Sequence, residues 1–288
     1  FESDPPFPEG DKRRHGYSRD HRSDCVQVVV ALVVTPEGFP VVYEVMPGNT
    51  ADNTTLCAFL DKIERLHGKA RRIWLMDRGI PTEETLAELR RRGGLYVVGT
   101  PKGRLAKIES ALAQRPWQEV RDSVRVKLLP DDGELVVYVE SADRVGKERS
   151  MRLRRTRKLL LRLAKLAQKP VPYEELLQKV GAARHEAGRD ARHVQIELPA
   201  PPCDRKAPCT FTYRLNLDSI RRARRREGRY LLRSNLVGRD PGELWLFYLR
   251  LGEVEQAFRT LKGDLSLRPV FHWVEQRIEA HILVAFLA

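Results

Sequence analysis

The chain has 288 residues, and its 52 lysines and arginines outnumber its 39 aspartates and glutamates, which gives a formal net charge of +13. A hydrophobic content of 42% with 32% charged residues excludes a disordered or fibrous chain, and no apolar run reaches the roughly 18 residues that a membrane span needs. So basic a chain attracts polyanions, and nucleic acid is the first candidate partner.

The first hundred residues predict the beginning of an α/β domain. Two β-branched runs within Val26–Pro47 flank the turn Thr-Pro-Glu-Gly and predict a β-hairpin. Asp52 is expected to cap a helix that runs to about Leu66, and a short buried strand should end at Asp77. A second helix follows Pro81, and the run LYVVGT predicts the next strand. This order of strands and helices is typical of an α/β sheet with an antiparallel edge.

The pattern changes after residue 100. Residues 105–240 mix alternating strands with a basic amphipathic helix and a proline-rich loop, whereas a helical block begins near Pro241. We therefore predict three segments: 1–100 as the first part of a core domain, 101–240 as an insertion, and 241–288 as the final helices of the core.

Two basic runs within the predicted insertion are candidates for nucleic-acid contacts. Met151–Gln168 contains seven basic residues and no acidic one, and Arg221–Arg226 contains five arginines in six positions. A solvated helix face is the alternative interpretation of any single charge run. Because two such runs occur in a basic chain, we favour DNA or RNA contacts. The residues assigned to this role in the second run are Arg221, Arg222, Arg224 and Arg225.

Two carboxylates are candidates for metal chemistry. Asp77 follows a predicted strand, at the end where open α/β sheets place their ligands, although aspartate also forms turns and caps there. Tyr248, Glu255 and Lys262 are spaced by seven residues and should share one face of a helix. Glu255 would then offer a metal ligand, with Arg259 and Lys262 placed to hold phosphate. An ordinary charged helix face is the alternative interpretation.

Several separated blocks of the sequence resemble the DDE transposases of bacterial insertion sequences. These blocks are FESD, GYSRDHRSDCVQ, GNTADNTTL, WLMDRGIP, FYLRLGEVEQAFRTLK and RPVFHWVEQRIEAHILVAFLA. The resemblance is greatest to the cut-and-paste group with the signature Tyr-x-x-Arg-x-x-x-Glu-x-x-x-x-x-x-Lys. It implies a ribonuclease-H-like mixed sheet with flanking helices, interrupted by a partly β-rich insertion between the second and third catalytic carboxylates. It also implies Mg²⁺ dependence, with Mn²⁺ as a substitute.

The resemblance assigns roles to particular residues. Asp77 matches the second catalytic carboxylate and Glu255 the third, while Tyr248 and Lys262 match residues that contact transposon-end DNA. The signature arginine falls on Leu251, and Arg250, one position earlier, is the candidate DNA-binding arginine in its place. The family's first aspartate lies in a strand just before the Phe-Glu pair with which this chain begins. Asp4, beside two prolines, is a poor substitute, so we expect the first carboxylate to lie outside this chain.

These observations predict a DNA transposase that cleaves and transfers strands at insertion-sequence ends, with this chain as an inactive fragment. The expected partners are the double-stranded DNA of the terminal repeats and target, and a second copy in a synaptic homodimer, in the bacterial cytoplasm at the nucleoid and without membrane contact. Two alternatives remain open: a metal-dependent nuclease of the same fold, and a non-catalytic DNA-binding remnant of a transposase.

Overall fold

The computed structural model of the protein describes residues 7–17, 24–100, 105–200 and 207–288. These residues form two units. Unit 1 takes in the described residues of Phe1–Pro116, Lys127–Tyr138 and Leu231–Ala288, and unit 2 consists of Trp117–Val126 and Val139–Tyr230. Unit 2 falls within the predicted insertion 101–240, whereas some residues of that stretch belong to unit 1.

The strands and helices alternate along the chain. The strands are β1 (Val28–Val34), β2 (Pro40–Pro47), β3 (Ile73–Met76), β4 (Leu95–Thr100), β5 (Gln118–Arg121), β6 (Val124–Asp131), β7 (Glu134–Ser141), β8 (Val171–Pro172), β9 (Val194–Glu197), β10 (Pro208–Cys209), β11 (Thr212–Leu215) and β12 (Arg229–Ser234). The helices are α1 (Leu56–His67), α2 (Glu83–Arg91), α3 (Leu105–Ala113), α4 (Ala142–Ala167), α5 (Tyr173–Ala187), α6 (Leu217–Arg226), α7 (Pro241–Leu249), α8 (Leu251–Lys262) and α9 (Glu275–Leu287). Short 3₁₀ helices lie at Asp52–Thr54 and Gly188–His193.

The predicted hairpin is confirmed. Strands β1 and β2 pair antiparallel, with Val30 opposite Val45, and form a two-stranded sheet. Its turn is closed by a hydrogen bond from the Thr35 amide to the Phe39 carbonyl (2.8 Å), and Gly38 takes the left-handed conformation that the turn requires (φ 88°). The β-branched residues therefore form a ribbon whose two faces are available for packing.

A six-stranded mixed sheet has the order β3-β4-β12-β7-β6-β5. Strand β3 runs parallel to β4, whereas β12 runs antiparallel to β4. This sheet, with helices α1 and α2 packed against β3 and β4, confirms the predicted α/β class with a mixed sheet and flanking helices. Strand β3 forms the edge of this sheet, and strand β1 pairs only with β2 among the described strands.

Helix α1 covers both sheets of unit 1. Leu60 packs with Met76 and Tyr96 of the six-stranded sheet, while Phe59 and Ile63 pack with the hairpin strand β2. The half-buried side chain of Trp74 on β3 packs against both of these clusters. Because one helix contacts the edge strand β3 and the hairpin, the two sheets lie under a common helical layer.

Helix α1 begins later than predicted, so the assignment of Asp52 as its N-cap is wrong. Asp52 lies in a 3₁₀ turn, and Thr55 occupies the N-cap position. The hydroxyl groups of Thr54 and Thr55 donate back to the carbonyls of Ala51 and Asp52, each at 2.8 Å. These local bonds stabilise a tight turn before the helix, which is the usual competition between threonine side chains and the helical backbone.

Unit 2 is built around the long helix α4. Its buried face packs against α5 through a cluster that includes the fully buried Leu163 and Leu176. Full burial of each leucine side chain contributes roughly 1.5–3 kcal/mol. The turn at Glu227 and Gly228 also docks on α4, where the Gly228 amide donates to Glu148 (3.0 Å). Across the residues that the structure describes, no helix is both long and apolar enough to cross a membrane.

Candidate active site

Asp77 occupies the position predicted for it, directly after strand β3. Its carboxylate accepts a hydrogen bond from the Arg78 amide (2.8 Å) and its carbonyl accepts one from Ile80 (3.2 Å), so the residue also forms the turn. The side chain is exposed, and its Oδ2 atom has no hydrogen-bond partner among the described residues. One carboxylate oxygen is therefore anchored and the other is open to a ligand.

The predicted single helix through Tyr248, Glu255 and Lys262 is wrong. Tyr248 belongs to α7, whereas Glu255 and Lys262 belong to α8, and the chain turns at Arg250 (ψ −12°). The Arg250 amide donates to Phe247 and the Glu253 amide to Arg250, both three residues back and within 3.1 Å. Such bonds tighten the backbone, and the glycine that follows Leu251 favours a helix only weakly.

The break between α7 and α8 coincides with a change of packing partner. Helix α7 packs against β3 and β4, whereas α8 packs against β1 of the hairpin. The two predicted carboxylates thus lie on elements next to edge strands of the described sheets: Asp77 at the end of β3, and Glu255 on the helix over β1.

Tyr248 is brought to the Asp77 turn by a glycine. A Cβ atom at Gly99 of β4 would lie 3.0 Å from the Tyr248 hydroxyl and 3.1 Å from the Arg78 amide nitrogen. Only glycine leaves room there for the ring and the turn together. Gly99 was not among the predicted site residues, although a glycine inside a strand pattern is a signal of such close approach.

The charged residues of α8 point to solvent. Glu255, Arg259 and Lys262 are all exposed, while Leu261 is buried against the hairpin and α9. Arg259 donates to Gln256 (3.3 Å), and the ammonium of Lys262 lies 5.3 Å from the centre of the Phe258 ring. Glu255 forms no ion pair with any described residue, so its carboxylate is available to a cation.

Arg250 also has an exposed guanidinium, whose central carbon lies 6.0 Å from the centre of the Phe247 ring. It stands at the turn between α7 and α8, rather than inside a helix. The cations predicted to contact phosphate are thus distributed over the turn and α8, and each of them is exposed.

The family of the chain follows from comparison with known proteins. Residues 4–288 match the family described as Transposase DDE domain. The chain belongs to this DDE transposase family. Comparison with curated proteins and with solved structures gives no significant match. The mixed sheet with flanking helices is the ribonuclease-H-like fold of DDE transposases, which act on DNA and generally use divalent metals.

Two exposed carboxylates of this transposase are of the chemical type that binds divalent metals. Carboxylate oxygens are the ligands that Mg²⁺ prefers, and Asp77 and Glu255 both offer them at the surface. Within the described ranges, no cluster of three or more histidine, cysteine or acidic side chains could hold a metal ion. Asp77 and Glu255 are therefore exposed carboxylates that belong to no such cluster among the described residues. Asp4 lies outside the described residues.

The arginine run of the transposase forms the exposed side of α6 in unit 2. Asn216 caps this helix by accepting from the Ser219 amide (2.9 Å), and Arg221 pairs with Asp218 (3.1 Å). The other three arginines assigned to DNA contacts are exposed and have no acidic partner in the described part of the chain; they are Arg222, Arg224 and Arg225. The helix therefore presents uncompensated positive charge.

Proposed function

We propose that this protein is the catalytic part of a bacterial insertion-sequence transposase of the cut-and-paste group, which cleaves DNA at the element's ends and joins it to a target. The observation that carries the proposal is the position of Asp77 and Glu255: exposed carboxylates, at the end of β3 and on α8, within a chain of the DDE transposase family. The predicted insertion, 101–240, separates these two residues in the sequence and contains unit 2.

Asp77 and Glu255 are proposed to bind Mg²⁺, for which Mn²⁺ substitutes. The bound metal would activate the attacking oxygen and stabilise the leaving 3′ oxygen of the scissile phosphodiester. The hydrogen bond from the Arg78 amide fixes one oxygen of Asp77 and leaves the other for coordination. Tyr248, packed beside this turn, is proposed to position transposon-end DNA next to the carboxylates.

The family's first carboxylate is proposed to lie on a further strand, outside the described residues. Support comes from the sheet edges: β3 ends the six-stranded sheet, β1 pairs only with β2 among the described strands, and α1 covers both. A strand that pairs with both edges would join the two sheets and stand between Asp77 and α8. The first aspartate of the family, on such a strand, would complete the ligand set.

DNA is proposed to contact the cations of both units. Arg250, Arg259 and Lys262 are exposed on the α7–α8 segment, and the arginines of α6 are exposed on unit 2. We further propose that two copies of the protein bring the element's ends together in a synaptic complex, in the bacterial cytoplasm at the nucleoid.

The experiment uses the full-length protein, with a substrate that carries two paired insertion-sequence ends and a target plasmid. A transposase yields strand-transfer products that depend on Mg²⁺ or Mn²⁺. Metal-dependent cuts without joined products would indicate a nuclease, and DNA binding without metal-dependent cutting would indicate a remnant.

A further inference from the structure

The basic residues of α4 fall into two groups. In the run Met151–Gln168, Arg152 pairs with Glu227 (2.6 Å), Arg155 with Asp190 (3.4 Å), and Arg162 with Glu186 (2.6 Å), which also pairs with Lys158. Four cations of the helix have no acidic partner among the described residues: Lys147, Arg154, Arg157 and Lys165. The acidic residues of unit 2 thus neutralise one set of cations and leave another set free.

The unpaired cations share one face of α4. At 100° per residue, Lys147, Arg154, Arg157 and Lys165 fall within about 80° of one another. All four are exposed. The buried residues of the helix lie on the opposite face; they are Arg152, Thr156, Leu159 and Leu163. Helix α4 contains no acidic residue after Glu148, so no later side chain of the helix neutralises the positive charge of this face.

Two exposed leucines accompany these cations. Leu153 is 52% exposed and Leu161 is 61% exposed, and together with Arg154, Arg157 and Lys158 they line a shallow surface depression. A solvated helix face needs no exposed leucines. Their position between arginines is typical of a surface that contacts both charged and apolar parts of one ligand, such as the phosphates and deoxyriboses of DNA.

Charge decides which partner fits this face. A second copy of the face would place arginine and lysine against arginine and lysine, since it carries no acidic residue with which to alternate. A polyanion has the complementary charge. Arg157 and Lys165 lie about 12 Å apart along the helix axis, which matches the roughly 12 Å width of the DNA major groove.

We propose that the exposed face of α4, formed by Lys147, Arg154, Arg157 and Lys165 with Leu153 and Leu161, is a further DNA-binding surface, distinct from the α7–α8 segment and from the arginine run of α6. This inference rests on the proposed function, which supplies DNA as the partner. It assigns DNA contacts to residues that are separate from the candidate active site and from the α6 arginines.

The test compares two variants of equal charge on the same helix. Arg154→Gln/Arg157→Gln removes two unpaired cations, and Arg149→Gln/Arg162→Gln removes two cations that are paired with Glu227 and Glu186. Duplex DNA binding to the full chain is measured by fluorescence anisotropy from 50 to 300 mM salt. Each phosphate contact contributes about 0.9 to the slope of log K against log salt, so the first variant should flatten the slope by about 1.8. The control variant should change it by less than about 0.5.

The outcomes separate the inference from the proposed function. A flatter slope in Arg154→Gln/Arg157→Gln alone, with an unchanged thermal midpoint of unfolding, supports a direct contact. An equal change in both variants would show a general effect of net charge, and an unchanged slope would show a solvated face; either result overturns the inference while wild-type DNA binding stands. Failure of the wild-type chain to bind DNA would instead contradict the proposed function.

Discussion

Glu134 is the residue of unit 1 whose loss should be most costly. Its carboxylate, only 4% exposed, accepts a hydrogen bond from Nε of Arg233 at 2.7 Å and further bonds from the Tyr96 hydroxyl and Arg90. Burial, and next the hydrogen bond to Glu134, raise the pKa of the Tyr96 phenol, which therefore stays protonated and donates. Strands β4, β12 and β7 are cross-linked by this network, since they contribute Tyr96, Arg233 and Glu134.

The variant Glu134→Gln keeps the shape of the side chain and removes its charge. Breaking a buried ion pair costs about 3–5 kcal/mol, because the remaining charge loses its compensation. Arg233 still pairs with Glu83 at 2.6 Å, so we expect the lower end of that range, about 3 kcal/mol. Glu83→Gln is the matched control on the same arginine. Because Glu83 is 63% exposed, its loss should cost less than about 1 kcal/mol.

Urea and thermal unfolding, followed by circular dichroism, measure both variants. A loss of about 3 kcal/mol corresponds to a decrease of roughly 6–12 °C in the unfolding midpoint of a domain of this size. The control should shift by no more than about 4 °C. If the free energy of unfolding decreases by the same small amount in both variants, within about 0.5 kcal/mol, the buried network does not stabilise the sheet as described.

Three further predictions concern unit 2. Burial lowers the pKa of His193, so below about pH 6.5 the unfolded chain binds a proton that the folded chain does not bind, and the free energy of unfolding should decrease as the pH falls. Urea titrations at several pH values should show a weaker pH dependence in His193→Gln and the wild-type pH dependence in His185→Gln. Gly228→Ala should destabilise the fold by more than about 2 kcal/mol and Gly188→Ala by about 1–2 kcal/mol. Both glycines have a positive φ, but only at Gly228 would a Cβ atom lie 2.3 Å from the Val145 side chain, so similar unfolding midpoints of the two variants would contradict this prediction. Replacing the four α6 arginines assigned to DNA contacts with glutamine should flatten the salt dependence of DNA binding by about 0.9 per lost contact, and an unchanged slope would assign them to solvent.

The elements that could be predicted from the sequence are those set by local pattern. The hairpin follows from two β-branched runs around a glycine-containing turn, and the position of Asp77 follows from a short apolar run that ends in a turn. The start of α1 was missed because threonine hydroxyls compete with the helix backbone at Ala51 and Asp52. Side-chain competition of this kind has no periodic signature.

The sequence predicts which residues belong to the candidate site, but it does not predict how they are arranged in space. Spacing by seven placed Tyr248 and Glu255 on one helix, because periodicity cannot detect a backbone turn at Arg250. The contact of Tyr248 with the turn after β3 depends on Gly99, which is distant in sequence. The sorting of the α4 cations into paired and unpaired sets likewise depends on acids from other elements, such as Glu186 and Glu227.

The most direct test of the proposed function is Mg²⁺-dependent nicking of insertion-sequence ends by the full-length protein and its carboxylate variants. Asp77→Asn and Glu255→Gln should each reduce the single-turnover nicking rate by more than about 100-fold, since loss of groups that merely orient metal ligands already costs 10–100-fold. Duplex binding should be retained. Glu253→Gln, on the same helix, and Asp52→Asn, at an exposed turn, should nick at rates close to wild type. Nicking near the wild-type rate by Asp77→Asn or Glu255→Gln would contradict the assignment of that carboxylate to the metal site.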